Sequence, residues 1–285
     1  SLPRDLVIPH PECEDPATHT TFPAMSAQPL NTAFARGGLG CVVATAEALT
    51  GLKIPYAALF SFQGTVKMAD AVGGVPICVT KAIDDPDSGL KLPAGRSVVT
   101  GRTALAYLRS RHGVGDGSDL SRIGSQQAYM SSLLRTMMSR STFTDPSKLY
   151  GLASAAAANV KLSQSLASVD TIVTMALALK GMDLQHLVFV QYPTGADPEN
   201  PNKVVPNAEL ADALLRRVRA DKQVALDASS LGLSTKLVGK KKKTSTSSGS
   251  TETSKPTPTK SASTAVISGL RGQTAAQKTC SIAAG

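Results

Sequence analysis

The stretch from Arg102 to Gln127 reads RTALAYLRSRHGVGDGSDLSRIGSQQ, and the other segments of the chain are best understood from it. Its glycine- and aspartate-rich centre, HGVGDGSD, is typical of a loop between two helices, the second beginning at Ser118–Asp119. Arg109 and Arg111 lie two residues apart, which separates them on a continuous helix but places them on one face of extended backbone. We therefore expect the first helix to unwind near Tyr107, so that both guanidinium groups point the same way.

Asp119, Arg122 and Gln126 follow at spacings of three and four residues, so they share one face of the second helix. Guanidinium groups are planar, permanently charged donors that match the oxygens of phosphate. Several of them at one loop and one helix start predict a clamp for a polyphosphate. The alternative is that Asp119 only caps the helix and that Arg122 is a solvated ion-pair partner, a contribution of roughly a few tenths of a kcal/mol.

The same stretch resembles the most characteristic block of the LytR–CpsA–Psr family, whose members transfer phosphate-linked glycopolymers from a polyprenyl carrier to the bacterial cell wall. Further segments resemble that family in the same order. They are Ser1–Asp5 (SLPRD), Leu30–Gly38 (LNTAFARGG), Val43–Leu52 (VATAEALTGL), Asp70–Val79 (DAVGGVPICV), Leu90–Arg96 (LKLPAGR) and Phe189–Val205 (FVQYPTGADPENPNKVV). The resemblance is to actinobacterial members and covers residues 1–228, which we assign to the catalytic domain.

Apolar periodicity predicts a chain of alternating helices and strands, which favours an α/β fold. The predicted helices are Cys41–Leu49, Val66–Val72, Asp119–Met138, Leu149–Val160, Asp170–Leu179 and Ala208–Arg219. The predicted strands are Ala57–Phe62, Val75–Val79 and Leu187–Val190. Met130, Leu134 and Met137 are expected on the buried face of their helix as core residues. The resemblance implies an α–β–α sandwich with a central mixed sheet and an apolar tunnel that holds a lipid.

The net charge of +9 is concentrated at the C-terminus. Residues 229–285 carry nine Lys and Arg against the single acid Glu252, which leaves 21 basic and 20 acidic residues in the rest. This distribution, with no Trp and few other aromatic residues, argues against a nucleic-acid-binding domain. The Lys-, Ser-, Thr- and Pro-rich composition predicts that 229–285 is a disordered tail. Its run Lys240–Lys243 is interpreted as solubilising or, alternatively, as a contact with anionic polymer or membrane. The segment Ala265–Leu270 could still dock on the domain.

The resemblance also implies the chemistry, a phosphotransferase reaction. The expected donor is a glycopolymer on a polyprenyl pyrophosphate, and the expected acceptor is peptidoglycan; whether the polymer is a teichoic acid or a capsule is left open. The residues expected to bind the pyrophosphate are Arg4, Arg109, Arg111, Arg122 and Gln126. Arg4, Arg122 and Asp119 are expected to be catalytic. The arginines would neutralise charge on the phosphate oxygens, and Asp119 would orient Arg122 or act as the base.

Mg²⁺, or Mn²⁺, is the cofactor that the resemblance implies, as an ion that bridges the phosphates. In the family two aspartates on a first strand bind it, after a membrane anchor. This chain opens at the PRD segment and contains neither a run of about 18 apolar residues nor a signal peptide. We therefore expect the metal ligands and the anchor upstream of residue 1, in a chain truncated at its N-terminus. We expect the domain at the extracytoplasmic face of the bacterial membrane or in the cell wall.

Several residues near the clamp receive lesser roles. Asp5 is expected to brace Arg4, and His112 is expected to be a bystander. Gly124–Ser125 stands where relatives carry further polar or basic residues, and Gln28–Pro29 replaces a basic residue. Two other functions stay open beside the transferase. One is a polyprenyl-pyrophosphate hydrolase that uses water as acceptor, and the other is a non-catalytic protein that binds or scaffolds wall polymer.

The four cysteines, Cys13, Cys41, Cys78 and Cys280, form no CxxC pair, which argues against a zinc site. The resemblance implies an exported protein in an oxidising setting, where at least one disulfide is expected. Cys13 and Cys41 flank one loop and helix start and could approach each other. Four cysteines permit three pairings, and the sequence does not choose among them. Buried free thiols are the alternative.

Overall fold

The structure of the protein is a computed structural model that describes residues 1–15, 18–139, 145–227, 229–232, 234–238 and 266–284. Seven helices occur in this part of the chain. They are α1 (Leu30–Thr50), α2 (Phe62–Ala71), α3 (Gly101–Arg109), α4 (Asp119–Ser139), α5 (Pro146–Asn159), α6 (Val169–Leu179) and α7 (Ala208–Arg219). A short 3₁₀ turn at Gln164–Leu166 lies between α5 and α6.

A four-stranded mixed sheet lies at the centre of the fold. Its strands in spatial order are β14 (Thr235–Leu237), β16 (Thr279–Ser281), β6 (Val75–Val79) and β9 (Gly95–Val99). β6 pairs antiparallel with β9 and parallel with β16, so the sheet is mixed. The burial of Val75, Ile77 and Val79 alternates with outward positions, as expected of a strand with one face in the core. The predicted α/β fold with a central mixed sheet is confirmed.

The remaining strands form short antiparallel pairs around this sheet. The pairs are β1 (Val7–His10) with β4 (Met25–Pro29), β2 (Cys13–Asp15) with β3 (Thr20–Phe22), β5 (Ala58–Phe60) with β10 (Val160–Leu162), β7 (Ile83–Asp85) with β8 (Leu90–Leu92), β11 (Val188–Val190) with β15 (Gly272–Thr274), and β12 (Thr194–Ala196) with β13 (Val204–Pro206). α4 packs against β6, β14, β15 and β16, whereas α2 packs against α3 and α5. These contacts pack α4 against the sheet, and the predicted clamp residues lie in its first turns.

Most of the predicted helices are present with shifted ends. α7 and β6 have the predicted bounds, whereas the predicted helix Cys41–Leu49 extends back to Leu30. It does so across a break at Gly37–Gly38, where Gly38 has φ 59°. The first helix of the quoted stretch ends at Arg109, not near Tyr107, because Tyr107 is 1% exposed and anchors the last turn in the main core. The backbone therefore leaves the helix at the residue between Arg109 and Arg111, and this turn gives the two side chains different directions.

The prediction that 229–285 is a disordered tail is wrong for its described ends. β14, β15 and β16 belong to these segments, and Leu270 and Ala283 are buried. The lysine-rich centre dominates the average composition of the tail. That average therefore did not reveal the short apolar and β-forming runs on either side of it. The domain boundary at residue 228 is therefore replaced by a fold that includes 234–238 and 266–284. Residues 239–265 lie outside the described residues, and the linker assignment stays a prediction there.

Two disulfides tie distant parts of the chain together. Cys13 pairs with Cys41 at a Cα–Cα distance of 5.2 Å, and this bond joins β2 to α1. Cys78 pairs with Cys280 at a Cα–Cα distance of 4.4 Å, and this bond joins β6 to β16. The expectation of at least one disulfide is confirmed, and the alternative of four free thiols is wrong. Sequence spacing alone could not select these pairings, because the second joins residues 202 positions apart.

Candidate functional site

Four arginines from distant parts of the chain line one cavity of about 410 Å³, which we call the arginine cavity. Arg4 precedes β1, Arg109 is the last residue of α3, Arg111 follows it, and Arg122 lies in the first turns of α4. Gln126, one turn further along α4, lines the same cavity. Arg102, at the start of the same arginine-rich stretch, does not line it. The structure thus brings together all five residues expected to bind pyrophosphate.

The residue between the two neighbouring arginines sets their directions. Ser110 has extended φ and ψ of −58° and 128°, so the chain leaves the helix between Arg109 and Arg111. The buried Ser110 hydroxyl donates a hydrogen bond of 2.6 Å to Asp85 Oδ2 and fixes this corner. The Arg109 guanidinium lies 4.5 Å from the centre of the Phe62 ring, a cation–π contact. Arg111 Nε is buried, and no described residue offers it a hydrogen-bond acceptor.

The start of α4 holds Arg122 in a nearly dry ion pair. The cap is Ser118, whose hydroxyl accepts a hydrogen bond of 3.1 Å from the Ser121 amide, so the alternative that Asp119 caps the helix is wrong. Asp119 instead accepts a hydrogen bond from the Arg122 guanidinium. Their side chains are only 11% and 16% exposed, which also contradicts the alternative of a solvated pair. Among the residues that the structure describes, Asp119 Oδ2 and Arg122 Nε are buried without hydrogen-bond partners.

The surroundings of Arg122 lower its pKa. Burial lowers this pKa, and the positive charges of Arg111 and Arg4 lower it further, whereas Asp119 and Asp5 act in the opposite direction. Three guanidinium groups are therefore close enough to repel one another. Such a cluster favours an anion between its members, because the anion would offset the repulsion.

Of the two remaining clamp residues, Arg4 contacts a carboxylate and Gln126 contacts a backbone carbonyl. Arg4 Nε lies 3.5 Å from Asp5 Oδ2, and Lys203 Nζ lies 3.4 Å from Asp5 Oδ1. The expectation that Asp5 braces Arg4 is confirmed. Gln126 Nε2 donates a hydrogen bond of 2.9 Å to the Leu108 carbonyl. An amide nitrogen carries two hydrogens, so one remains for a further acceptor.

An apolar cavity of about 660 Å³ adjoins the arginine cavity. The two share Phe62, Leu108, Arg109 and Gln126 as wall residues. The apolar walls come from α2 to α6, and small side chains such as Ala153, Ala156 and Ala176 leave its space open.

The methionines of α4 differ from the sequence expectation. Met130 is 41% exposed, and both Met130 and Met137 line the apolar cavity. The prediction that they fill the core is therefore wrong for Met130. Helical spacing identified the apolar face of α4 but could not tell a packed interior from the wall of a cavity.

A group of metal-ligating side chains that the sequence analysis did not find also lines the arginine cavity. Ligand atoms of Asp85, Asp87 and His112 all lie within 4.8 Å of one another, so they could hold a metal ion. His112 Nδ1 lies 2.6 Å from Asp87 Oδ2. The available signal was the Asp-Pro-Asp turn of the β7–β8 hairpin, but nothing in the sequence placed that turn beside His112.

The structure explains why Gly124–Ser125 stands where relatives carry further polar or basic residues. Gly124 lies on the side of α4 opposite to the arginine cavity. A Cβ atom on Gly124 would lie 2.1 Å from Ser234 Oγ, so a larger residue there requires the Ser234 side chain to move. Gly124 lines a polar cavity of about 180 Å³ between α4 and that segment, away from the arginine cavity. A basic residue at this position could not have joined the clamp.

Within the described residues, no helix is both long and apolar enough to cross a membrane.

Comparison with known proteins identifies relatives of this site and fold. The family model LytR_cpsA_psr matches residues 1–221. The probable cell wall biosynthesis protein LcpB of Corynebacterium glutamicum is 31% identical over 219 residues, which are 77% of this chain and 49% of LcpB. The chain therefore spans about half the length of that curated relative.

Solved structures share the fold at lower identity. The LytR-Csp2A-Psr enzyme from Actinomyces oris is 24% identical with a TM-score of 0.55, over 76% of this chain and 78% of that one. TagT, a Bacillus subtilis protein solved bound to LI-WTA, is 18% identical with a TM-score of 0.53, over 77% of each chain.

Proposed function

The chain belongs to the LytR–CpsA–Psr family of cell-wall glycopolymer transferases, and we propose that it moves a polyprenyl-pyrophosphate-linked glycopolymer onto peptidoglycan. The observation that carries this proposal is the adjacency of the arginine cavity and the apolar cavity, with Arg109 in the wall of both. A lipid pyrophosphate has a strongly anionic head next to a hydrocarbon tail. Neighbouring cationic and apolar cavities match that distribution of charge and surface.

The proposed head-group site uses the free donors of the clamp. Arg4, Arg109, Arg111 and Arg122 would surround the pyrophosphate, and Gln126 would donate its remaining N–H to a phosphate oxygen. Phosphoryl transfer depends chiefly on positioned positive charge around the phosphate oxygens, which guanidinium groups supply without losing a proton. The Nε atoms of Arg111 and Arg122 have no acceptor within the described part of the chain, which supports this assignment because buried donors ordinarily have an acceptor.

Arg4, Arg122 and Asp119 are the proposed catalytic residues, with different tasks. Arg4 and Arg122 would stabilise charge on the transferred and leaving phosphates. The nearly buried Asp119 already accepts from Arg122, so we assign it the task of holding Arg122 in place. The acceptor hydroxyl of peptidoglycan would attack the phosphorus next to the sugar and lose its proton to solvent, and the lipid phosphate would leave with the bridging oxygen.

The apolar cavity is the proposed tunnel for the polyprenyl chain. Its volume of about 660 Å³ is in the range of pockets that enclose a sizeable organic ligand. LI-WTA bound to TagT supports a donor of this kind for the family fold. We propose that the domain acts at the extracytoplasmic face of the membrane or in the wall, where both lipid carrier and peptidoglycan are found.

Mg²⁺ or Mn²⁺ is the proposed cofactor, and when bound it would supply positive charge to the phosphate oxygens. Of the described residues, Asp85, Asp87 and His112 offer a suitable ligand set. The two carboxylates suit either ion.

The test of this function is an analysis of products from a polyprenyl-pyrophosphate-linked glycopolymer incubated with peptidoglycan and the full-length protein that carries this chain. We expect polymer covalently joined to peptidoglycan through phosphate. Free phosphate-terminated polymer would instead indicate the hydrolase, in which water replaces the sugar hydroxyl. Unchanged donor that is nevertheless bound would indicate the non-catalytic polymer-binding protein.

A further inference from the structure

The polar cavity of about 180 Å³ lies on the side of α4 opposite to the arginine cavity. Its walls come from the start of α4, from residues 191–194 after β11, and from the C-terminal segments around Ser234 and Gln273. Among the described residues, the two cavities have no wall residue in common. A ligand in the polar cavity therefore leaves the arginine cavity free.

Gln191 is a buried residue in the wall of this cavity. It is 7% exposed, and its backbone N–H donates a hydrogen bond of 2.8 Å to the Arg271 carbonyl. Its side-chain amide, which offers two hydrogens and an acceptor oxygen, makes no hydrogen bond to any described residue. Buried polar groups ordinarily have partners, so this amide indicates that the cavity receives a polar ligand.

Further amide and hydroxyl groups line the same cavity. Gln127 is 5% exposed, and its Nε2 donates a hydrogen bond of 3.1 Å to Ser1 Oγ. This bond uses one amide hydrogen of Gln127 and leaves the other hydrogen and the amide oxygen for a ligand. The hydroxyl of the buried Ser234 lies in the wall beside Gly124. The cavity thus presents donors and acceptors side by side.

The charges around the cavity balance. Among the described residues, Arg271 is its one basic wall residue and Asp116 its one acidic wall residue, whereas Leu120, Pro193 and Leu210 add apolar surface. A polyphosphate requires a cluster of cations, and an apolar ligand would leave the buried amides unpaired. The wall therefore fits a neutral ligand that carries both hydroxyl groups and C–H surface.

We propose that the polar cavity binds one neutral sugar unit of a glycan, with Gln127 and Gln191 hydrogen-bonded to its hydroxyl groups. A sugar hydroxyl both donates and accepts hydrogen bonds, as the amide and serine groups of the wall do. The cavity is smaller than the pockets of about 300–1,000 Å³ that enclose drug-sized ligands, so it holds a single ring and not a longer stretch of polymer.

The position of the cavity gives this site a use in the proposed reaction. A sugar bound there holds a glycan strand at a second point on α4 while the arginine cavity holds the lipid pyrophosphate. A second point of attachment raises the local concentration of the strand without a new contact at the reacting atoms. This use rests on the proposed function, whereas sugar binding rests only on the residues of the polar cavity.

The experiment is an NMR titration of the full-length, isotope-labelled protein with N-acetylglucosamine as the neutral sugar probe. We expect saturable shifts of the side-chain amide resonances of Gln127 and Gln191, with an affinity in roughly the millimolar range expected of so small a ligand. Gln126 is the internal control, because it neighbours Gln127 in sequence but lines the arginine cavity. Its amide should not shift. The absence of saturable shifts at Gln191, or equal shifts at Gln126, would overturn the proposal.

Two further probes test the class of ligand. Pyrophosphate represents a polyanion, and alanine represents a zwitterion that could pair with Arg271 and Asp116 together. Neither should shift the Gln191 amide at the concentration at which N-acetylglucosamine saturates it. Tighter binding of either probe than of the sugar would reject the assignment to a neutral sugar.

Matched variants separate the site from nonspecific sugar binding. Gln191→Ala should weaken N-acetylglucosamine binding about three- to tenfold, read from the Gln127 amide, because hydrogen bonds to the ligand are lost. The fold should be retained, since the Gln191 side chain bonds to no described residue. Gln185→Ala is the control, an exposed glutamine outside the cavity, and should change the affinity less than about twofold. Equal effects of the two substitutions would contradict the site.

Binding to whole glycans distinguishes the two sources of the sugar. Retention of the wild type, but not of Gln191→Ala, on insoluble peptidoglycan freed of glycopolymer would assign the sugar to peptidoglycan. The same difference only on immobilised glycopolymer would assign it to that polymer. Equal retention of the two proteins on both materials would reject the use of the cavity for glycan strands.

These measurements need no lipid donor, so their outcome is independent of the transferase assay. Sugar binding at Gln191 without polymer transfer would preserve the sugar site and reject the proposed function. Polymer transfer without sugar binding at Gln191 would reject the sugar site and preserve the proposed function.

Discussion

At the scale of single residues, Arg122 determines how charge is arranged in the arginine cavity. Asp119 holds its guanidinium in a pair that solvent barely reaches, and Arg4 and Arg111 add positive charge nearby. Arg122 and Asp119 are neighbours on one helix, so their pairing could be predicted from a spacing of three residues. The convergence of Arg4 could not be derived from local pattern, because it depends on the start of the chain lying beside α4, where Gln127 Nε2 donates a hydrogen bond of 3.1 Å to Ser1 Oγ. The family resemblance supplied that expectation.

The carboxylate that precedes α4 gives a residue-scale prediction about acid stability. Hydrogen bonds from Ser118 and Ser121 lower the pKa of Asp116 to about 2, below its ordinary value of about 3.9. A group whose pKa is lower in the folded state stabilises that state above the ordinary pKa, and the contribution disappears as pH falls towards the folded value. We therefore expect the free energy of unfolding to fall more steeply from pH 4 towards pH 2 in the wild type than in Asp116→Asn.

Urea denaturation at a series of pH values measures this difference. Solvent screening keeps the effect small, so the comparison concerns the slope with pH. Ser121→Ala, which removes the hydroxyl that donates to Asp116 Oδ1 at 2.6 Å, should reduce the slope in the same direction. Parallel pH profiles for the wild type and Asp116→Asn would show that these hydrogen bonds do not favour the charged form.

At the scale of elements, α4 connects the clamp to the C-terminal segment. One side of its first turns carries Asp119, Arg122 and Gln126, and the other side meets Ser234 at Gly124. Periodicity predicted α4, α6 and α7 because their apolar faces repeat at helical spacing. It missed the short strands from Val7 to Pro29 and in the C-terminal segment, since three to five residues contain too few alternations to recognise.

Two glycines in helix interiors test this packing. Gly124→Ala should lower the free energy of unfolding by about 1 kcal/mol, because its Cβ would lie 2.1 Å from Ser234 Oγ and the Ser234 side chain would have to rotate away. Gly151→Ala, in α5, is the matched control. Apart from its own helix, no described residue has an atom within 4 Å of its Cβ position, so it should stabilise the protein by roughly 0.5–1 kcal/mol. Chemical denaturation of both variants measures the effects, and equal changes would contradict the close approach.

At the scale of the whole molecule, the C-terminal segment is part of the central sheet. β16 pairs with β6, the Cys78–Cys280 disulfide joins the two strands, and Ser281 Oγ lies 2.5 Å from the Tyr107 hydroxyl. In the sequence, Tyr107 lies two residues before Arg109 and four residues before Arg111. The order of the sheet could not be predicted from the sequence, because it depends on a strand that follows a long lysine-rich stretch.

The two disulfides should therefore contribute differently to stability. In the chain-entropy description, a disulfide stabilises more when it closes a longer loop. The pairs are 28 and 202 residues apart, so loss of Cys78–Cys280 should cost about 1–2 kcal/mol more than loss of Cys13–Cys41. Guanidinium denaturation of the two double Cys→Ser variants measures both costs. A larger loss for Cys13→Ser with Cys41→Ser would contradict the dependence of stability on loop length.

The central claim is that the arginine cavity binds the anionic head of a lipid-linked donor, and polymer transfer by Arg122→Ala tests it most directly. The assay uses the full-length protein with circular dichroism to verify folding. Removal of a charge-assisted contact should lower transfer roughly ten- to a hundredfold. Arg122→Lys should restore only part of the activity, because an ammonium group cannot make the bidentate contact. Arg102→Ala, outside the cavity, should retain nearly full transfer, whereas small and equal losses at Arg102 and Arg122 would contradict the claim.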